Sequence, residues 1–366
     1  MTTKKLITLA AVAAVLGGLA YVSSNTKKLK TPSLVGKPVL KSLNLSNVGD
    51  VQRIEVSDDG QKTLILEGTD AGWVVKTLFN YPADIAKIRE HLLALTDLKI
   101  GHVATGKKLD HALVVDLQNA SGKSLATLRL GEMSMREATG QMAMYGGGAY
   151  PDGRYVATES DTVYLVSETL DAFDGDPKRW VDTRLTAIQG AQIVTAEFTV
   201  GGETLKLEKK DGAWTLEDLG EQEELDTPRL FGIDSALGYL QFSNIADPAL
   251  TDEQLGMTTG TIYKVTLQTG ETYTATIGGE AGTDRYFRIS AAFTPVESDK
   301  EDEPVHLQQM QGLQNKVQTA AVEAFNARTA NWVYLIPAQS ANNMSKRRAD
   351  VVKAKAEPKP ESADES

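Results

Sequence analysis

The chain contains no cysteine. That excludes disulfides, thiolate zinc sites and a lipidated-cysteine anchor, and it leaves the redox compartment open. Histidine is scarce: His91, His102, His111 and His306 are the whole set. None has a second histidine at the helical spacing used by metal sites, which argues against structural zinc. No serine sits in a Gly-x-Ser-x-Gly elbow. The nearest approach to a phosphate loop is "GHVATGKK" at residues 101–108. It has Lys108 where a magnesium-binding hydroxyl belongs, and it follows a predicted helix instead of a strand. Carboxylates crowd residues 221–226 and 297–303, ahead of predicted helices, where solvated acids are expected. No catalytic residue, cofactor or metal is therefore expected, and the chain reads as non-enzymatic. In "GDPKRWVDTRL", residues 175–185, Arg179, Trp180 and Arg184 read as packing between the two halves of the chain, with anion binding as the alternative.

What is present is enough apolar sequence for a folded body: 366 residues, 41% of them hydrophobic. The net charge is −11, and it is uneven. Residues 1–30 hold Lys4, Lys5, Lys27, Lys28 and Lys30 and no acid, so the remainder is more acidic still. An acidic body argues against nucleic acid or anionic lipid as the main partner. Residues 6–22 form an uncharged apolar run after two lysines. As a helix it spans roughly 25 Å, close to the hydrocarbon thickness of a membrane. It reads as an uncleaved signal anchor, with a cleaved signal peptide as the alternative because Gly18, Leu19 and Ala20 offer a small-residue cleavage site. The expected placement is a single pass through a bacterial inner membrane, with the body in the periplasm.

The chain then repeats itself. "VQRIEVSDDGQKTLILEGTDAGWVV" (residues 51–75) and "VTAEFTVGGETLKLEKKDGAWTL" (residues 194–216) both alternate apolar and polar, turn at glycine, alternate again and end on tryptophan, Trp73 or Trp214. Period-two patterning predicts three short antiparallel strands in each. A helix is predicted after both: Ile85, Ile88, Leu92 and Leu95 in the first, Leu230, Ile233, Leu237 and Leu240 in the second, with Asp226 or Thr227 as cap and Pro228 in its first turn. The two tryptophans are expected to pack between sheet and helix. "ALVVDLQNASGKSLATLRLGE" (112–132) answers "IYKVTLQTGETYTATIGGE" (262–280), Arg154 and Tyr155 answer Arg285 and Tyr286, and "VYLVS" (163–167) answers "VYLIP" (333–337). The expected fold class is α+β: a tandem duplication of an antiparallel-sheet-plus-helix unit behind an N-terminal transmembrane helix. The expected divisions are residues 1–30 as anchor or signal segment, 45–187 and 190–340 as the repeats, and 345–366 as a disordered tail.

These motifs carry a resemblance. Ile54-Glu55-Val56, Gly72-Trp73, Tyr81-Pro82-Ala83-Asp84 and Val163-Tyr164-Leu165-Val166 make the first copy similar to the bacterial family called domain of unknown function 4340; the second copy lacks the tyrosine-proline-alanine-aspartate phrase. The resemblance implies an envelope protein with a membrane segment, since some members are encoded beside ABC-type exporter components of the gliding-motility kind. It brings no reaction and no catalytic residues.

Function is sought where the copies differ. The first inserts "MSMREATGQMAMYGGGAYPDG" (133–153), which reads as a long hairpin whose glycines supply turns, or as an adaptable contact loop presenting Met142, Met144, Tyr145 and Tyr150. The second inserts a predicted helix after Pro304, on which Met310, Leu313, Val317, Ala320 and Ala324 form an apolar stripe flanked by Gln308, Gln311, Gln314 and Gln318. That stripe either packs on its own domain or docks on a partner. The resulting expectation is a membrane-anchored accessory or scaffold of a transporter-like complex, with no cofactor and no nucleic acid. A secreted ligand-binding protein and a hydrolase with an unrecognised site are the alternatives.

Overall fold

The computed structural model describes residues 34–138, 148–295 and 305–355. The chain is a mixed α+β protein with two large antiparallel sheets and few helices. The first sheet has nine strands: β1 (Val51–Asp58), β2 (Gln61–Thr69), β3 (Gly72–Val75), β4 (Tyr81–Pro82), β5 (His102–Val103), β6 (Leu113–Asn119), β7 (Ser124–Arg136), β8 (Tyr150–Ala157) and β9 (Val163–Val166). Their order is β4-β3-β2-β1-β6-β7-β8-β9-β5. The second is built from β11 (Ile193–Val200), β12 (Glu203–Lys210), β13 (Ala213–Thr215), β16 (Asn244–Ile245), β17 (Thr261–Leu267), β18 (Glu271–Ala281), β19 (Asp284–Phe293) and β20 (Tyr334–Pro337), in the order β13-β12-β11-β17-β18-β19-β20-β16. Short pairs β10 (Arg184–Thr186) with β15 (Leu240–Gln241), and β14 (Glu223–Leu225) with β21 (Val352–Ala354), complete the strands. By contacts, residues up to Gly68 and Ala86–Asp176 form one compact unit, and Thr69–Ile85 with the residues from Pro177 onward form the other.

In the first unit the period-two reading holds. Leu64 and Leu66 pair with Val56 and Ile54, and all four are fully buried. The β1–β2 turn is the two residues Asp59 and Gly60, both at positive φ (45° and 82°), as the twist of a tight hairpin requires. Helix α1 (Ile85–Thr96) buries Ile88, Leu92 and Leu95, but Ile85 is half exposed. On the sheet Glu55 lies between Arg53 and Lys62, with Arg53 Nε 2.7 Å and Lys62 Nζ 2.8 Å from Oε1, and Arg53 also reaches Glu67. Burial pushes the Glu55 carboxyl up, but hydrogen bonds from Lys62 and Arg53, and their charges, outweigh it and hold it below the ordinary value. A depressed folded-state pKa stabilises above the unfolded value, and that contribution is lost as pH falls through the folded one. Glu55→Gln is therefore expected to lower Tm near neutrality. The gap to the parent should close as pH drops below about 4; thermal melts across that range check this, and a gap that persists in acid refutes it.

One device recurs in both sheets. β7 and β8 shift register between Leu130 and Met133, and β18 and β19 shift between Ile277 and Glu280. The extra residues leave backbone carbonyls outside the ladder. Arg154 Nε donates to Gly131 O at 2.9 Å and Nη1 to Thr169 O at 3.3 Å. Arg285 donates to Gly278 O at 2.6 Å through Nη2 and to Gly279 O at 3.2 Å through Nε. Glycine is needed at the bulge for close approach: a Cβ on Gly278 would collide with Leu255 O, and one on Gly131 would meet the Leu109 side chain at 2.5 Å. The repeated glycine-glutamate and arginine-tyrosine phrases are thus a bulge and its clasp.

In the second unit the predicted helix over Leu230, Ile233, Leu237 and Leu240 is absent. All four residues are buried, but the chain makes a 3-10 turn at Thr227–Leu230 and then successive turns, with bonds such as Ile233 N to Leu230 O and Gly238 N to Ser235 O. Gly232 sits at φ +95°, outside the helical region, and the Ile233 carbonyl is taken by the buried Tyr263 hydroxyl at 3.3 Å. Lys209 Nζ holds Asp234 at 2.6 Å and lies 5.0 Å from the Trp214 ring. Trp73 and Trp214 occupy corresponding strands, β3 and β13, and are only half buried; the fully buried indole is Trp180.

The family phrase at residues 81–84 belongs to this unit. The Tyr81 ring lies 5.5 Å from Phe242, 5.0 Å from Trp332 and 6.3 Å from Tyr334, edge-on to each. Tyr81, Phe242 and Tyr334 are buried. The tail read as disordered from Ser345 is folded through Lys355: a short helix (Arg348–Val351) is followed by β21, with Val352 opposite Leu225, Val351 fully buried and Arg348 Nη1 2.9 Å from Asp218. Val351 and Val352 supply the apolar burial that composition alone undervalued. Residues 356–366, and residues 6–22 with their anchor reading, lie outside the described residues; among the described residues no helix is long and apolar enough to cross a membrane.

Candidate functional site

The sequence-derived contact residues meet the structure in two places. On the first unit, Tyr150 is not in a loop. β7 runs to Arg136 and β8 begins at Tyr150, and these two residues pair. The insertion lengthens a hairpin, whose end exposes Tyr150 (39%) and Met135 (55%). Met142, Met144 and Tyr145 lie outside the described residues.

The second place is helix α2 (Val305–Thr329). Alanine, glutamine, leucine and methionine favour a helix here, while Gly312 opposes it by about 1 kcal/mol. The C-terminal third is fastened to the sheet. Phe325 meets Tyr273 edge-on at 5.2 Å. Asn326 Oδ1 accepts Ala291 N and Nδ2 donates to Ala291 O, both at 2.8 Å. Val322 and Thr329 are buried, and Arg328 donates to Arg184 O and Leu185 O at 2.8 Å. From residue 306 to 321, by contrast, no side chain is buried.

These anchors fix the rotation of the helix. Gln311, Asn315 and Gln318 share the anchored face and are partly covered, so it is the polar stripe that turns inward. Met310, Leu313 and Val317 come together on the opposite face at 64%, 63% and 65% exposure. The row does not pack on its own domain. The periodicity is legible in the sequence; the direction it faces is set by Phe325 and Asn326, which no pattern marks as anchors.

Beside the helix, a cleft of about 490 Å³ is lined by Thr186, Glu271, Tyr273, Gln318, Phe325 and Arg328. Thr186 Oγ1 is buried without a hydrogen-bond partner, and Glu271, 7% exposed, accepts from Thr269 Oγ1. Burial pushes the Tyr273 phenol above its ordinary value, and the Glu271 charge adds to the rise. Sequence reasoning missed this cleft, because its walls come from segments far apart in the chain.

Elsewhere the chemistry-bearing residues are engaged structurally. Lys107 pairs with Glu132 at 2.6 Å and sits 3.9 Å over the Tyr155 ring, and the strand before it is only the two residues of β5. Trp180 is core, and Arg184 pairs with Gln241 in β10–β15. Among the described residues no three His, Asp or Glu side chains gather as metal ligands.

A family model described as Domain of unknown function (DUF4340) matches residues 73–258. The span opens on Trp73, holds the Tyr81 phrase and ends before α2. No curated protein and no solved structure matches the chain. With half of its length covered by that model, and with its strands and bulges laid out as above, the chain belongs to the DUF4340 family.

Proposed function

We propose that this protein is a non-enzymatic, membrane-anchored accessory or scaffold of a bacterial envelope complex of the transporter-associated kind, with residues 6–22 as the anchor and the body in the periplasm. The body is a tandem duplication of one sheet unit. Supporting that origin, the strand order β3-β2-β1-β6-β7-β8-β9-β5 is matched one for one by β13-β12-β11-β17-β18-β19-β20-β16, and the arginine clasp recurs at the same bulge in each. The observation that carries the functional reading is the α2 face. Its large apolar side chains stand about two-thirds exposed, and over the 25 residues of α2 only Lys316, Glu323 and Arg328 carry formal charge. Depletion of charge around exposed methionine and aliphatic residues is the composition of an interface core.

Affinity isolation of the full chain from detergent-solubilised membranes tests this. Membrane proteins should co-purify with the parent. Val317→Glu, which places an unpaired charge in the middle of the face, is expected to weaken recovery of the chain seated on that face at least about tenfold, since burying such a charge costs more than the 1.4 kcal/mol that tenfold represents. Recovery of the parent body alone, at every detergent level, overturns the proposal. A second reading, a secreted protein binding a small polar ligand, draws on the Thr186–Glu271 cleft. N-terminal sequencing separates the two: loss of residues through about Ala20 favours the second, because cleavage there removes the anchor.

A further inference from the structure

The exposed row on α2 has a finer order than an amphipathic stripe. Met310, Leu313, Val317, Ala320, Ala324 and Ala327 follow one another at +3, +4, +3, +4 and +3, and all six are exposed. That is the alternation of a and d positions in a heptad. Val322, Phe325, Asn326 and Thr329, which hold the helix to the sheet, then fall at f, b, c and f. The seam therefore faces directly away from the sheet, and its 17 steps from Met310 to Ala327 run roughly 26 Å along the helix.

Side-chain size is graded along this seam, with three large residues at one end and three alanines at the other. Two such helices in parallel set large against large and leave the alanine layers apart, wasting contact. Antiparallel about a twofold axis, every layer joins a large residue to a small one: Met310 to Ala327, Leu313 to Ala324, Val317 to Ala320. The flanking g positions include Lys316 and Glu323, and in the antiparallel pair Lys316 of each copy faces Glu323 of the other. Symmetry doubles that match. A helix lying on lipid instead carries lysine and arginine along its polar flanks; beside this seam Lys316 is matched by Glu323, and Arg328, at an e position, is tied to the Arg184 and Leu185 carbonyls.

We propose that α2 pairs with α2 of a second copy of this chain, antiparallel through the Met310-to-Ala327 seam, to make a twofold dimer. This rests on the reading of the α2 face as a contact surface and names its occupant.

The cysteine-free sequence makes the test clean. Met310→Cys and Ala327→Cys are introduced separately in the full chain, with different tags, and the two are co-expressed, extracted in detergent and oxidised. A covalent dimer containing one of each is expected, since paired layers bring the two Cα atoms within disulfide range. Neither variant alone should cross-link. Adding Val317→Glu to both should abolish the cross-link and reduce the particle mass from two chains to one. All the substituted positions are exposed, so folding is retained, and tryptophan emission verifies it. Covalent dimers of Met310→Cys alone overturn the antiparallel seam. Cross-linking of Met310→Cys to a different protein overturns the second copy as occupant but keeps the contact-surface reading. A chain that is monomeric, uncross-linked and partnerless, or whose α2 binds vesicles of anionic lipid instead, overturns both.

Discussion

Tyr334→Ala is expected to cost the second unit roughly 3–5 kcal/mol, the range for removing a large buried aromatic ring. Tyr334 has no exposed surface, and its ring lies 5.2 Å from Phe242 and 6.3 Å from Tyr81. Truncation removes those contacts and leaves a cavity among rings that cannot collapse, because Tyr81 is held on β4 and Phe242 bonds through its N–H to Thr183 O. Tyr334→Phe keeps the ring and gives up only the hydroxyl, with its hydrogen bond to the Tyr81 hydroxyl and its long 3.5 Å approach to Arg328 O; a loss of about 1 kcal/mol is expected. Urea unfolding followed by tryptophan emission reads both. The four tryptophans, at 73, 180, 214 and 332, all fall in the second unit, so the signal reports on the unit in question. An alanine variant within about 1 kcal/mol of the parent would show that the cluster repacks.

Arg154→Leu carries the second large effect. Arg154 is 7% exposed, and its guanidinium donates to two backbone carbonyls of the first unit. Burial pulls its pKa below the ordinary arginine value, and the carboxylates of Asp171 and Asp174 oppose that shift. Leucine removes the donors and leaves the Gly131 carbonyl buried without its partner. Charged hydrogen bonds of this kind contribute about 1.5–3 kcal/mol each, so a loss of roughly 2–4 kcal/mol is expected. Arg285→Leu, at a half-buried site, should lose less. Arg154→Lys should recover only part of the loss, because a single ammonium cannot span two carbonyls as the planar fork does. Thermal melts by circular dichroism measure the order, with Arg154→Leu lowest, Arg154→Lys between and the parent highest. An Arg154→Leu variant that melts with the parent would remove the clasp from the account.

Strands are legible wherever apolar residues alternate and a turn signal follows, as at Leu64 and Leu66 or Leu205 and Leu207, because a side-chain period of two follows from backbone geometry. The backbone over Leu230 to Leu240 is not. Its apolar spacing marks core residues correctly, but spacing records which side chains are buried and not how the chain between them turns. Gly232 at positive φ and the Tyr263 hydroxyl on the Ile233 carbonyl decide that. The tail shows the opposite error. Composition counts charges and prolines, while two valines and an arginine with acidic partners are enough to dock residues 348–354.

By itself the sequence determined the mixed α+β class, the recurrence of its phrases, the family, and the apolar stripe on the long helix, since each depends on local order along the chain. Only the tertiary structure decided that Tyr81 completes an aromatic cluster with residues 161 to 253 positions further on, that the repeated arginines clasp bulges, and that α2 turns its glutamines inward and its methionine and leucine outward. Each of these depends on which surfaces meet, and that is fixed by packing between distant segments, to which a periodicity is blind.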